Sequence, residues 1–141
     1  MLAAPHWRMP SDAFDLSSTY AHLGLGARVI PLPDFAWTPE YLGRYTQETE
    51  ADGDDGRLVT ISPSEVTWTS WERHPAGEEL VVQLSGAATL LQEIDGSVHA
   101  VELASGLAVI NPKGVWHTVD VHEPGRCLFI TPGRGTEHRP R

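Results

Sequence analysis

The chain has 141 residues, 40% of them hydrophobic and 21% charged, which suits one globular domain with a sizeable core. Its formal net charge of −9 argues against nucleic acid or an anionic membrane surface as a partner. No stretch approaches the roughly 18 apolar residues of a membrane span, and MLAAPHWRMPSD lacks the apolar core of a signal peptide. The single cysteine, Cys127, cannot form an internal disulfide and is expected to be a small core residue, so we expect a cytoplasmic protein.

Residues 1–56 are predicted to form a partly helical extension that packs on the main fold or on a partner subunit. SDAFDLSSTYAHLG predicts a short helix capped by Ser11 and ended by Gly24. ARVIPLP predicts a short strand, and TPEYLGRYTQETE predicts a helix with Thr38 as cap and Pro39 in its first position. The acidic run ETEADGDDG lacks the spacing of a calcium loop and is predicted to be a solvated connector.

Residues 57–133 alternate short apolar segments with glycine and proline turns, a pattern typical of an antiparallel sandwich or barrel. We therefore predict an all-β fold here, followed by a loose polar tail at 134–141. The predicted strands are RLVTI, EVTWTSWERH, EELVVQLSGAATLLQEI, VHAVEL, ASGLAVIN, VWHTVDV and RCLFITP, with turns at DGS, PKG and EPG.

Four side chains in this part carry the donor atoms of a metal site. Side chains alternate faces along a strand, so Glu72 and His74 lie on one face. Glu79 begins the next predicted strand, and His117 lies between two valines on a later one. Imidazole nitrogens and carboxylate oxygens suit a divalent ion such as zinc, iron, manganese or nickel.

Other interpretations of these residues stay open. Glu79 could orient a histidine rather than bind metal directly. Glu72 could form a surface salt bridge with Arg73 or Arg126. The whole set could also be a metal-free, hydrogen-bonded polar cluster.

Side chains on the same strand faces are expected to line a pocket for a small molecule. The predicted substrate-pocket residues are Trp68, Ser70 and Gln83. The expected apolar lining comprises Trp68, Val66, Val81, Val115 and Val119. The opposite faces are expected to pack under the N-terminal segment or against a second copy in a homodimer; their residues are Trp71, Leu80, Val82, Leu84 and Trp116. The remaining histidines are predicted to be solvated: His6, His22, His99, His122 and His138.

Two segments together resemble the motifs of the cupin superfamily. ERHPAGEELVVQLSG, from Glu72 to Gly86, resembles the first motif, in which HxH precedes a glutamate and then a glycine. GLAVINPKGVWH, from Gly106 to His117, resembles the second motif, GxxxxxPxGxxH. The resemblance covers about residues 57 to 133 and implies a double-stranded β-helix, a jelly-roll barrel with a metal inside one mouth.

By position, the resemblance implies that His74, Glu79 and His117 are metal ligands. Three departures are Val66 for the opening glycine, Val121 for the final asparagine, and Glu72 for the first histidine. Because Glu72 retains a donor atom on the same face, we expect it to bind as well and to favour a harder divalent ion.

The expected function is that of a divalent-metal-binding cupin that binds or acts on a small organic molecule. Isomerase, lyase, hydrolase and dioxygenase chemistries all fit the pattern, and no catalytic residue is singled out. The alternatives are a non-catalytic ligand-binding or sensor cupin and a metal-free structural dimer.

Overall fold

A computed structural model describes residues 13–141 of the chain. The predicted helix cap Ser11 and the histidine His6 lie outside these residues. None of the helices described in residues 13–141 is long and apolar enough to cross a membrane. The described elements are β1 (Tyr20–Gly24), β2 (Arg28–Leu32), α1 (Pro39–Glu48), a 3-10 turn (Glu50–Asp55), β3 (Arg57–Ser64), β4 (Ser70–Arg73), β5 (Glu79–Ile94), β6 (Ser97–Leu103), β7 (Ala108–Asn111), β8 (His117–Thr131) and β9 (Glu137–Pro140).

The first predicted helix is wrong, because its last five residues form strand β1. Asp15 instead accepts a hydrogen bond from the backbone N–H of Ser17 at 2.9 Å, which begins a turn rather than a helix. β1 then pairs with β2 on one side and with β3 on the other. Pairing with two strands satisfies its backbone groups and overrides the local helix preference.

The other N-terminal predictions had mixed outcomes. The ARVIPLP strand is confirmed as β2, and the second helix is confirmed as α1. The hydroxyl of Thr38 accepts the N–H of Tyr41 at 3.2 Å, as an N-cap residue does. The acidic run is not a solvated connector, because it forms the 3-10 turn and buries Asp52.

The main body is built on two long antiparallel strands, β5 and β8, which pair along most of their lengths. The predicted EPG turn is wrong: residues 123–125 lie within β8, which continues to Thr131. The other edge of β8 pairs with β3 near its end and with β4 at its start. β5 also pairs with β6 and β7, so strands from separate parts of the chain join in one sheet.

The β5–β8 pair is irregular where two glycines meet. Its register shifts between Gln83 and Ala88. Gly86 has φ +76°, and a Cβ there would lie 2.5 Å from the carbonyl oxygen of Glu123. A Cβ on Gly125 would lie 2.0 Å from the carbonyl oxygen of Ser85. Only glycine allows this close backbone approach, and the irregular pairing bends both strands.

The hydrophobic core is formed mainly by residues of the β-strands and includes Cys127, which is buried as expected. The core cluster consists of Val81, Ala88, Leu90, Leu103 and Val119, with Trp68, Val101, Val109, Val121 and Phe129 packed against it. Along β5, Val81 is buried whereas Leu80 and Val82 are half-buried, so alternate side chains face inward and outward.

The C-terminal residues are not a loose tail. Glu137–Pro140 form β9, which pairs antiparallel with β4 and places His138 beside Glu72. The sheet therefore runs β2-β1-β3-β8-β4-β9, and β9 lies next to the strand that carries Glu72.

Candidate metal centre

The structure brings the four predicted ligands together at one point. Glu72 on β4 pairs in register with His117 at the start of β8. His74 follows β4 directly, and Glu79 is the first residue of β5. One donor atom from each of the four lies within 4.8 Å of the others.

Each histidine Nε2 atom lies between two carboxylates. The Nε2 of His74 is 3.2 Å from Oε1 of Glu72 and 3.2 Å from Oε2 of Glu79. The Nε2 of His117 is 3.5 Å from Oε1 of Glu72 and 3.4 Å from Oε1 of Glu79. Neither buried Nε2 forms a hydrogen bond of acceptable geometry, and among the described residues these are the only buried side-chain polar atoms without one. Buried polar atoms normally have partners, so a ligand-binding role fits both nitrogens.

Hydrogen bonds on the far side of each ring fix which nitrogen carries the proton. The Nδ1 of His74 lies 2.8 Å from the hydroxyl of Thr136, which donates its own proton to the carbonyl of Gly133. That hydroxyl therefore accepts from Nδ1–H. The Nδ1 of His117 lies 3.3 Å from the carbonyl of Val115, which can only accept. In the neutral rings both Nε2 lone pairs thus point into the cluster, as metal binding requires.

Glu79 is held by two hydrogen bonds that sequence reasoning missed. The amide of Asn111 donates to Oε1 at 3.0 Å, and the hydroxyl of Thr131 donates to Oε2 at 2.6 Å. Gln92 lies behind Asn111 and donates to its side-chain oxygen at 2.9 Å. These bonds orient the carboxylate toward both histidines.

Glu72 turns inward and does not form the surface salt bridge considered as its alternative. Arg73 instead pairs with Glu137. Oε1 of Glu72 faces the two histidines, and Oε2 accepts a hydrogen bond from Nε2 of His138 at 2.8 Å.

The carboxylates and histidines of the cluster shift the pKa values of Glu72 and His74. Burial opposes the charged form of Glu72, yet His117 and His74 hold its pKa well below the ordinary value. Burial likewise favours the neutral ring of His74, but the carboxylates of Glu72 and Glu79 raise its pKa to about 9. Without a metal, the two carboxylates therefore favour the protonated form of His74.

The predicted pocket residues have different surroundings. The Trp68 ring lies 6.0 Å from the His117 ring and 6.5 Å from the Phe129 ring, which places it beside the cluster. Ser70 is half-buried on β4 and uses its carbonyl to accept from Thr118. The expected apolar lining is wrong at Val66, which is 76% exposed on the loop before β4.

Gln83 is fully buried, and its side-chain groups are already paired. Its amide donates to the carbonyl of Ser85 at 2.7 Å, and its oxygen accepts from the thiol of Cys127 at 3.2 Å. These bonds join β5 to β8 near the glycine bend. These two hydrogen bonds are sufficient to explain a buried glutamine at position 83 by its structural role.

Two tryptophans on the outward faces, Trp71 and Trp116, are half-buried. The guanidinium group of Arg139 lies over both rings, and that of Arg73 lies over Trp116. Cation–π stacking of these guanidinium groups therefore covers part of both rings.

Predictions for the remaining histidines were partly wrong. His99 and His122 are exposed, as expected. His22 is 1% exposed and lies 2.7 Å from both Asp52 and the hydroxyl of Tyr45, so it is not solvated. His138 is exposed but contacts Glu72.

The residues around the ligands carried little sequence signal. Asn111 ends a predicted strand just before the PKG turn, and period-two alternation could have placed it. Thr136 and His138 fall in a polar stretch without strand periodicity.

No protein-family model matches the chain, and no curated protein matches it. Similar solved structures include a cupin-2 domain containing protein from Shewanella frigidimarina, hydroquinone 1,2-dioxygenase from Sphingomonas sp. TTNP3 with 4-hydroxybenzoate bound, and hydroxypropylphosphonic acid epoxidase from S. wedmorenis in complex with fosfomycin. Their identities are 20%, 14% and 11%, with TM-scores of 0.45, 0.45 and 0.46. The matches cover 60%, 53% and 53% of this chain and 71%, 58% and 43% of theirs, so the chain spans less than two thirds of either enzyme.

The strand pairing places the two sequence motifs side by side. The first motif runs from β4 into β5, and the second runs from β7 to the start of β8. β5 joins them, because it pairs with β7 at Glu79↔Asn111 and with β8 at Gln92↔His117. The chain thus has an all-β jelly-roll fold in which the two motifs are adjacent.

Proposed function

We propose that this protein is a divalent-metal-binding cupin that binds or transforms a small organic molecule at the cluster. The observation that carries the proposal is the pair of buried Nε2 atoms, on His74 and His117, that have no hydrogen-bond partner and lie between two carboxylates. A cation held by these atoms would satisfy both nitrogens and offset both negative charges.

The proposed ligands are Glu72, His74, Glu79 and His117. Two imidazoles and two carboxylates suit zinc, iron, manganese or nickel, and the second carboxylate favours the harder of these ions. When bound, such an ion supplies Lewis acidity toward an oxygen atom of a bound molecule.

The chain itself supplies the surroundings of that molecule. The Trp68 ring lies beside His117, and the Phe129 ring lies beside Trp68. Asn111 and Thr131 hold Glu79 in one orientation, which keeps the carboxylate from turning toward a bound molecule. We propose that the small molecule has an apolar or aromatic body that packs on Trp68 and an oxygen atom directed toward the cluster.

A metal-free cluster is the second candidate, and the raised pKa of His74 supports it. An imidazolium between Glu72 and Glu79 would balance part of their charge. That arrangement provides no partner for the Nε2 of His117, whereas a metal ion would serve both rings. We therefore favour the metal.

Metal analysis of the purified protein tests this choice. The wild-type chain should hold about one divalent ion per chain, lose it to a chelator, and regain it from zinc, iron, manganese or nickel. His117→Ala should lose stoichiometric binding, because a buried ligand is removed. His99→Ala, which changes an exposed histidine on β6, should retain it. The proposal would be contradicted if His117→Ala retained the full amount of metal, or if the reconstituted wild-type protein bound no metal.

A further inference from the structure

The C-terminal strand β9 and the residue before it, Thr136, contact two of the four proposed ligands. Within the described residues, β9 pairs only with β4, in a register that sets His138 opposite Glu72. It is anchored at its end by ion pairs of Arg139 with Glu93 and of Arg141 with Asp120. Most of its residues are exposed, so it is an edge strand with little burial of its own.

Thr136, just before β9, determines the orientation of His74. Its hydroxyl accepts from Nδ1–H of His74 at 2.8 Å and donates to the carbonyl of Gly133 at 2.9 Å. Because the hydroxyl proton is committed to Gly133, the ring must direct its Nε2 lone pair into the cluster.

His138, within β9, acts on Glu72 in a comparable way. Its Nε2 lies 2.8 Å from Oε2 of Glu72, while Oε1 of the same carboxylate faces His74 and His117. The Glu72 side chain is 22% exposed, so without this contact Oε2 could turn toward water. With the contact, one oxygen is directed outward and the other inward.

We propose that the segment from Thr136 to Pro140, here called the C-terminal strap, positions two metal ligands, with Thr136 and His138 as its positioning residues. The inference rests on the proposed metal binding and deepens it. Because coupling between two equilibria is reciprocal, docking of the strap strengthens metal binding, and metal binding strengthens docking of the strap.

Paired substitutions separate positioning from general packing. Thr136→Val removes the hydroxyl and Thr136→Ser keeps it. His138→Ala removes the donor, and His138→Gln keeps an amide nitrogen near the place of Nε2. Glu137→Gln is the matched control, because it lies between the two positions, loses only the surface pair with Arg73, and touches no proposed ligand.

The measurements use Co²⁺ as the probe, with affinity from chelator competition and the ligand field from the visible absorption of the loaded protein. Thr136→Val and His138→Ala should each bind Co²⁺ about 10 to 100 times more weakly, as loss of an outer partner of a metal ligand does. Both should also shift the Co²⁺ absorption bands. Thr136→Ser, His138→Gln and Glu137→Gln should stay close to wild type in both measurements.

Hydrogen exchange tests the reciprocal effect. Co²⁺ should slow exchange of the backbone amides of the C-terminal strap in the wild-type protein, and less so in Thr136→Val. Unchanged affinity and spectra in Thr136→Val and His138→Ala would overturn the inference, as would an equal loss in Glu137→Gln. A wild-type protein that binds no metal would instead refute the proposed function, so the two failures are distinguishable.

Discussion

At the residue scale, side chains of the candidate site both form hydrogen bonds with the surrounding fold and direct donor atoms into the cluster. His74 and His117 use Nδ1 for a hydrogen bond to the fold and leave Nε2 free. Glu79 accepts two hydrogen bonds from the fold while its oxygens still face the histidines. Such double engagement orients ligands before an ion arrives, which reduces the free-energy cost of ordering them on binding.

The raised pKa of His74 predicts a pH dependence for the metal-free protein. Its folded pKa of about 9 exceeds the ordinary value of 6.5, so the proton stabilises the fold fully below pH 6.5. That contribution, roughly 3 kcal/mol, should be lost as pH rises through 9. Urea unfolding in the presence of a chelator measures it. His74→Gln, which does not titrate, should show a flatter pH profile, and equal profiles would contradict the assignment.

At the element scale, the close approach of β5 and β8 shapes the barrel. Gly86 and Gly125 let the two backbones meet where the register shifts. On one side of this bend, β8 begins with the proposed ligand His117. On the other side, β8 ends with Thr131, whose hydroxyl donates a hydrogen bond to Glu79. The bend therefore lets one strand contribute to both sides of the cluster.

Substitution of Gly86 tests the steric requirement of the bend. Gly86→Ala introduces a Cβ 2.5 Å from a carbonyl oxygen, at φ +76°. Gly96 has φ +77° and nothing within 4 Å of a Cβ, so Gly96→Ala carries the same backbone strain without the clash. We expect Gly96→Ala to cost about 1–2 kcal/mol and Gly86→Ala about 1–3 kcal/mol more. Urea unfolding of both variants gives the difference, and equal costs would disprove the clash.

A second element-scale feature joins β1, β2 and the acidic turn through Asp52. This buried carboxylate contacts His22 at 2.7 Å and Arg28 at 2.9 Å, and it accepts the backbone N–H of Leu25 at 3.1 Å. Tyr45 of α1 lies 2.7 Å from the other nitrogen of His22. Elements that are distant in sequence thus share one hydrogen-bonded cluster.

Removal of Asp52 should destabilise this part of the fold. Asp52→Ala leaves His22 and the Arg28 guanidinium without their buried partner, and we expect a cost of about 3–5 kcal/mol. Asp54→Ala in the same turn changes a carboxylate that is 63% exposed and should alter stability by less than about 0.5 kcal/mol. Thermal or urea unfolding compares them. If Asp52→Ala lowered the free energy of unfolding as little as Asp54→Ala does, the Asp52 cluster would contribute little to stability.

At the scale of the whole molecule, part of the outer face of the sheet is not covered by any of residues 13–141. Leu80 pairs with Ile110 on one side and Ile130 on the other, so their side chains form an apolar row across three strands. Ile110 is 56% exposed, and Leu84 on the same face of β5 is 39% exposed. A continuous apolar face of this kind is typical of a surface that contacts another protein.

We predict that this apolar face forms the interface of the expected homodimer, and substitutions on the face test that prediction. Light scattering should give twice the mass of one chain for the wild type. Ile110→Lys should give a monomer, because it puts a charge into the apolar row. Val66→Lys changes an apolar residue that is 76% exposed on a different loop and should remain dimeric. A monomeric wild type, or no change in Ile110→Lys, would contradict this surface assignment.

The sequence by itself determined the parts of this protein that depend on local spacing. Period-two alternation places Glu72 and His74 on one strand face, and α1 follows from its cap and proline. The resemblance of two segments to cupin motifs implied the jelly-roll fold, and the four donor atoms singled out in the sequence lie within 4.8 Å of one another.

The tertiary structure alone decided the partners of those donors. β9, predicted as a loose tail, is a strand because its backbone pairs with β4, and β1 is a strand because it pairs with two neighbours. Thr136 is 62 residues from His74, and Asp52 is 30 residues from His22. Contacts over such separations leave no periodic trace in the chain, because they depend on which segments the folded sheet makes adjacent.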